Sequence, residues 1–348
     1  MVSRLYDKLL AALDSGAASS VVGRGAVARK EGGDVPSCPS TVLTEPILDF
    51  LSGVASLSPY LGRLMARTPD RLERVLASDT AEGFKVLWPS AVGGEQIEDT
   101  KVRLRMAKAD IALAIALADL SEVWALNDVV GALSGFADAA VNAALGAAWD
   151  NAHLFRGFQP PASGWPDRPC GISLIAMGKM GAGELNYSSD IDLVAIYDPD
   201  MFPVSEGSRL DAKAIAVKLV QSTVDILHQQ TEHGYVFRTD LRLRPNPGAT
   251  AVAVSLSASE VYYQVYGQNW ERAAYIKARP CAGDAVLGEQ FADMMRPFVW
   301  RRTLDYGAVA DIHAVKQQIH AEKGNPDLAV RGGNIKLGPG GIREIEFF

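Results

Sequence analysis

The sequence predicts an α+β protein, a small mixed β-sheet flanked by N- and C-terminal helical regions. Three observations carry that expectation. Apolar residues recur at helical spacing from Glu45 to about Asn151. Beyond a Pro-rich linker, short apolar runs bounded by glycine and proline follow. Helical spacing then returns to about residue 324.

Residues 2–14 fit a short amphipathic helix, and residues 15–40 are rich in Gly, Ala, Ser and Pro, as in a flexible segment. Residues 1–44 are thus set apart from a helical region over 45–158. Its helices are expected in "PILDFLSGVASLSPYLGRLMAR", "KVRLRMAKADIALAIALADLSEVWAL" and "DVVGALSGFADAAVNAALGAAW". Asp110 and Asp119 fall among their apolar positions and read as partly exposed or capped helical aspartates. A sheet-bearing core over 159–285 begins after "QPPASGWPDRPC". "GISLIAMG" (171–178) and "DIDLVAIY" (190–197) read as strands, and a long helix then runs to a stop at Gly234. "YVFRTDLRLRP" (235–245), "TAVAVS" and "RAAYIKARP" (272–280) read as further strands, with a helix near 258–268. Trp270, Glu271 and Arg272 read as core and capping residues. Residues 286–348 form the second helical region, and the apolar close at Phe347 and Phe348 is expected of a fragment of a longer protein.

Composition excludes several classes. Hydrophobic residues make up 48% and charged residues 22%, with a net charge of −7, which disfavours general binding to nucleic acid or anionic membrane. Cys38, Cys170 and Cys281 are far apart and odd in number, so neither a disulfide framework nor a zinc site is expected, and a reducing cytoplasm fits. No apolar run approaches the ~20 residues of a membrane span, and the N-terminus is a poor secretory signal.

The chemical signal lies in "MGKMGAGELNYSSDIDLVAIYD". Strands avoid aspartate, yet Asp190 and Asp192 open one, spaced to share a face. Side by side they repel unless a cation separates them, and a hard divalent ion takes such oxygen ligands. Asp240 in "FRTDLRLRP" supplies a third carboxylate from another strand. Three such groups can hold two Mg²⁺ or Mn²⁺ ions for an in-line phosphoryl displacement.

The neighbouring residues suit phosphate. Gly178 and Lys179 open a loop whose backbone can approach a phosphate closely. Ser188 and Ser189 add hydroxyls. Arg242 and Arg244 are expected on the strand face of Asp240, and Lys277 and Arg279 repeat the pattern, which makes a phosphate-binding wall. "YDPD" (197–200) is a second D-x-D, but Pro199 makes it a turn. "GKMGAG" is no Walker A loop, since position 173 is Ser and Met follows the Lys.

A strand ending in glycine, a loop, an aspartate pair around one apolar residue and a later third aspartate resemble the DNA polymerase β nucleotidyltransferase superfamily. The superfamily's usual Gly-Gly or Gly-Ser is Gly178-Lys179 here. "AMGKMGAGELNYSSDIDL", "DLRLRP", "WERAAYIKARPCAGD", "RPFVWRRTLD" and "IKLGPGGIREIEF", in that order, are similar to the glutamine synthetase adenylyltransferase family. The resemblance runs from about Glu45 to Phe348. It implies a polymerase β-like core and one of two tandem nucleotidyltransferase domains. "GELNYSSDIDL" and "GGIREIEF" are similar to the N-terminal copy, which removes AMP from a tyrosine of glutamine synthetase by phosphorolysis. It further implies Asp190, Asp192 and Asp240 as metal-binding and catalytic carboxylates, with phosphate, ADP or ATP as substrates. Glutamine synthetase is the implied partner, and a PII-type signalling protein a second. Two alternatives stay open: a related nucleotidyltransferase acting on another protein or small molecule, and a non-catalytic regulatory nucleotide-binding module.

Overall fold

The computed structural model describes residues 44–77, 95–154, 170–203 and 209–300, together with Pro89, Phe158 and Trp165. The expectations for residues 1–43 and for the helix and Gly-rich turn beyond Trp300 lie outside the described residues.

Prolines divide the first helical run. α1 (Glu45–Leu57), α2 (Pro59–Arg67) and α3 (Pro69–Ala77) replace one long helix. Pro59 takes the first position of α2, where its missing N–H costs nothing, and the Ser58 side chain accepts the Leu61 N–H. α4 (Ile97–Leu120) and α5 (Leu126–Asp150) form as expected, and a 3₁₀ turn (Asn151–Leu154) follows. Asp110 corrects its sequence reading. It is buried, and its carboxylate pairs with Arg71 at 2.6 Å and Arg74 at 2.9 Å.

The sheet holds β1 (Ile172–Ala176), β2 (Ile191–Tyr197), β3 (Thr239–Asp240), β4 (Ala253–Ser255) and β5 (Arg279–Gly283). The order is β3-β2-β1-β5. β1 lies antiparallel to both β2 and β5, whereas β3 and β4 pair in parallel with β2. β3 takes the start of β2 and β4 its end, so two short strands share one edge. Both faces are covered. Leu174, Leu193, Ala195 and Tyr197 point into the core made with α4, α5 and α7 (Arg209–His228). Ile175, Val194 and Ile196 point the other way, into a second cluster with Tyr263, Tyr275, Phe291 and Phe298. That cluster comes from α8 (Leu256–Val265), α9 (Asn269–Tyr275) and α10 (Ala285–Val299). Burial on both faces explains why β1 and β2 read as unbroken apolar runs.

Three strand and helix expectations are corrected. The strand over 235–245 contracts to two residues, because the chain must leave the edge of β2 before β4 can take it. Residues 272–275 are helical. α9 starts on a cap in which the Glu271 carboxylate accepts the Gln268 N–H at 2.7 Å, and only Arg279 and Pro280 of the expected run pair with β1. α7 ends at His228 rather than Gly234, and a tight Thr231–Gly234 turn reverses the chain. Glu271 is buried, which bears out its reading as a core and capping residue, while Trp270 is exposed.

α5 is the one described helix long and apolar enough to cross a membrane by composition. Here its apolar residues, Phe136, Val141, Leu145 and Trp149 among them, sit in the core against α4, α7 and β5.

Candidate active site

β1 leaves the sheet at Met177, whose N–H donates to the Asp192 carbonyl at 2.9 Å. Gly178 follows in the left-handed region at φ +55°. A Cβ there would stand 3.2 Å from the Asp192 carboxylate oxygen, so glycine lets the turn lie against that group. The expected open loop winds into a single helical turn, α6 (Gly178–Gly181), and Lys179 is exposed on it.

β3 brings the second carboxylate. Asp192 and Asp240 are register partners in a parallel pair, so their side chains share one face as neighbours. Asp190 stands just before β2, half-exposed, with its carboxylate paired to the Arg238 guanidinium. The other end of that guanidinium donates to the Ser188 carbonyl at 3.3 Å. Asp190 beside it raises the Arg238 pKa further. Arg242 binds Asp240 through its backbone N–H at 2.8 Å and through its guanidinium at 2.9 and 3.0 Å. Those guanidinium bonds hold the Asp240 pKa below the usual carboxylate range. Each outer carboxylate therefore carries an arginine, from positions two before and two after Asp240.

Asp192 and Asp240 offer hard oxygen donors side by side, which fits Mg²⁺ or Mn²⁺ in kind. Among the described residues no three His, Cys, Asp or Glu side chains gather closely enough to hold a metal ion. The structure thus brings Asp192 and Asp240 together and leaves Asp190 on Arg238.

A model of the glutamate-ammonia ligase adenylyltransferase family matches residues 48–294, which takes in the whole sheet and most of the helices over its two faces. The chain belongs to that family. It is 48% identical over 313 residues to the bifunctional glutamine synthetase adenylyltransferase/adenylyl-removing enzyme of Rhizobium meliloti, covering 87% of this chain and 31% of that one. The relatives of the same description from Xanthobacter autotrophicus and Caulobacter vibrioides are 47% and 46% identical. They align with 85% and 86% of this chain and 30% of each relative. The chain spans about a third of the length of these curated relatives. The small mixed sheet between helical layers is that of a polymerase β-like nucleotidyltransferase core.

In this member of the adenylyltransferase family the remaining expected site residues divide. Ser188 is exposed at φ +57°, and the Ser189 hydroxyl donates to Asn186. Lys277 pairs with Glu184 at 3.1 Å, off the strand expected for it. Arg244 does not share a strand face with Asp240. Its guanidinium donates to the carbonyls of Leu241, Pro247, Thr250 and Ala251 and closes the loop between β3 and β4. Arg279 likewise donates to the carbonyls of Met180 and Gly181 and pairs with Asp138 of α5 at 2.8 Å. It clamps α6 onto the helical layer. Burial pushes the Asp138 carboxyl up, and Arg279 opposes that shift.

Three residues escaped the sequence reading. Arg238 mirrors Arg242 about Asp240, a symmetry visible in "RTDLR". Asp138 is an acidic residue amid alanines of a core helix. Asp284 is buried at 2% exposure. It caps α10 through the Leu287 N–H at 3.0 Å and accepts the N–H groups of Cys170 and Gly171 at 2.7 and 3.0 Å.

Proposed function

We propose that this chain transfers a nucleotidyl group on glutamine synthetase, in the direction that removes AMP from an adenylylated tyrosine by phosphorolysis. The observation that carries the reading is the register of Asp192 on Asp240 against the bare backbone of Gly178, in a chain of this family. The relatives' printed names, which join adenylyltransferase and adenylyl-removing activities, support the substrate. A cytoplasmic setting and a PII-type signalling partner belong to the same proposal.

In the proposed reaction an oxygen of inorganic phosphate bonds to the α-phosphorus of the tyrosyl-AMP ester. The bond from that phosphorus to the tyrosyl oxygen breaks, and ADP leaves. The tyrosyl oxygen keeps the electron pair and takes the proton that the attacking hydrogen phosphate gives up. Asp192 and Asp240 would hold Mg²⁺ or Mn²⁺, with Asp190 joining them once it leaves Arg238, and the ion when bound would neutralise charge on the non-bridging oxygens. Gly178 leaves room for the phosphoryl group beside Asp192. Arg242, 83% exposed at its side chain, can turn to an incoming phosphate oxygen. Arg279 fixes the position of α6 against which the phosphoryl group would rest.

The test is to incubate the purified chain with adenylylated glutamine synthetase, Mg²⁺ and phosphate. The expected result is phosphate-dependent ADP release. Adenylylation of the unmodified synthetase from ATP, with no ADP release from the modified form, would reverse the assigned direction.

A further inference from the structure

A cavity of about 850 Å³ lies between the helical layer and the turns that precede β2 and β3. It is separate from the Asp192–Asp240 pair, and a ligand there would bind whether or not the proposed reaction holds. Its size is that of a small-molecule site. Most of its floor is apolar, with Leu61, Ile111 and Phe136 buried at the back. Three tyrosines, Tyr60, Tyr187 and Tyr235, stand around it, and Tyr60 and Tyr187 are exposed.

The charges around this cavity do not balance. Arg63, Arg67, Arg105 and Lys108 line it, against two carboxylates, Asp119 and Glu232. Asp119 already accepts the Tyr187 hydroxyl at 2.9 Å, and the side chain of Glu232 is 83% exposed. Arg105 is spent on the carbonyls of Lys101, Ile226, Gln229 and Gly234. Lys108 donates to the Val236 carbonyl and lies over the rings of Tyr235 and Phe237, at 5.0 and 4.5 Å from their centroids. The charges that act on it most are those of Arg238 and Arg105, both of its own sign. Burial and those two cations lower its pKa to about 8. A half-buried cation among like charges, at the wall of an apolar cavity, calls for an anion.

We propose that this cavity binds a small amphipathic anion, a carboxylate or phosphate on an apolar or aromatic body. The anionic head meets Lys108, with Arg63 and Arg67 nearer the rim, and the body lies on the leucine, isoleucine and phenylalanine floor. Ser188 lines the same cavity, and its carbonyl is held by the arginine that holds Asp190. The bound molecule therefore sits one residue layer from the candidate active site.

The probe is 8-anilinonaphthalene-1-sulfonate, an anion on an aromatic body, with the uncharged N-phenyl-1-naphthylamine as its partner. Titrated into the full chain, the sulfonate is expected to bind saturably at one equivalent with blue-shifted emission, and more tightly than the uncharged dye. Lys108→Met should weaken sulfonate binding roughly 10- to 150-fold, the range of a lost charge-assisted hydrogen bond, and bring the two dyes level. Ala112→Trp, which fills the cavity, should remove binding of both; if that variant does not melt cooperatively, Lys108→Met decides alone. Absence of saturable binding to the wild-type chain, equal binding of the two dyes there, or sulfonate affinity within twofold in Lys108→Met would each overturn the proposal.

Discussion

Asp192 is the residue on which most of the site turns. Its register partner is a carboxylate, its backbone carbonyl is held by Met177, and its carboxylate meets the bare Cα side of Gly178. Asp192→Asn keeps the shape and relieves repulsion. It should cut ADP release by about 10²–10³-fold while the metal-free thermal midpoint stays level or rises. A large fall in that midpoint would make Asp192 structural. Arg238 leads to an opposite expectation. It occupies Asp190 as a competing cation, so Arg238→Gln should tighten Mn²⁺ binding about two- to fivefold. Isothermal titration of both proteins with Mn²⁺ checks it, and equal affinities would remove Arg238 from competition. Lys108 adds a pH signature. Its folded pKa of about 8 lies below the ordinary lysine value of 10.5. The folded state therefore holds fewer protons than the unfolded one between those values, and stability rises with pH there. Measured as the difference between wild type and Lys108→Met, unfolding free energy should shift by about 2–3 kcal/mol in favour of wild type from pH 7 to pH 10. A flat difference would mean that Lys108 is not desolvated.

At the scale of elements, the joints depend on close approaches and shared carboxylates. A Cβ on Gly181 would lie 2.0 Å from the Lys277 carbonyl and 2.6 Å from that of Ala176. Gly181→Ala must therefore lift α6 off the chain before β5, at about 1–3 kcal/mol, and denaturant melts would read that loss. Asp284 joins three backbone N–H groups, two from the chain just before β1 and one from α10, so Asp284→Ala leaves buried donors without a partner. That replacement should cost more than an ordinary helix-cap loss of about 1 kcal/mol. Strands and helices with a single periodicity were legible in the sequence: β1, β2, α4, α5 and most of α7 stand where their patterns put them. What was not legible depended on partners distant in sequence. The alternation of "DLRLRP" mimics a strand, yet β4 occupies the edge that Leu241 to Pro245 would need. Arg244 looked like a ligand for phosphate because no pattern reveals that four carbonyls of its own loop lie within reach. Asp192 and Asp240 were legible as carboxylates of one site, since an aspartate is conspicuous among the apolar residues of each predicted strand, but their register as direct neighbours was not. The engagement of Asp190 by Arg238 was not, because it depends on the turn at Ser188.

At the scale of the whole molecule, the helical layer and the sheet share one apolar cluster that runs from α1 through α5 to β5. Leu145 of α5 reaches Gly283 of β5, 3.3 Å from where a Cβ would stand. A charge there should damage both parts together. Leu145→Asp is expected to lower far-UV helical signal and aromatic near-UV signal in one coincident transition. Two separated transitions would show that the helical layer folds apart from the sheet. The site inherits this coupling, because Arg279 ties α6 to Asp138 on that same helix.

The burial of α5 also bears on how the chain is made. α5 emerges from the ribosome well before α7 and β5, the elements that cover much of it. At 5–20 residues per second, the gap before β5 is complete is on the order of ten seconds. For the first part of that interval, until α7 is made, a helix apolar enough to suit a bilayer has only α4 and the earlier helices for shelter. A nascent chain stalled after Asp150 should therefore be a better client for hydrophobic-segment-binding chaperones than one stalled after Gly283.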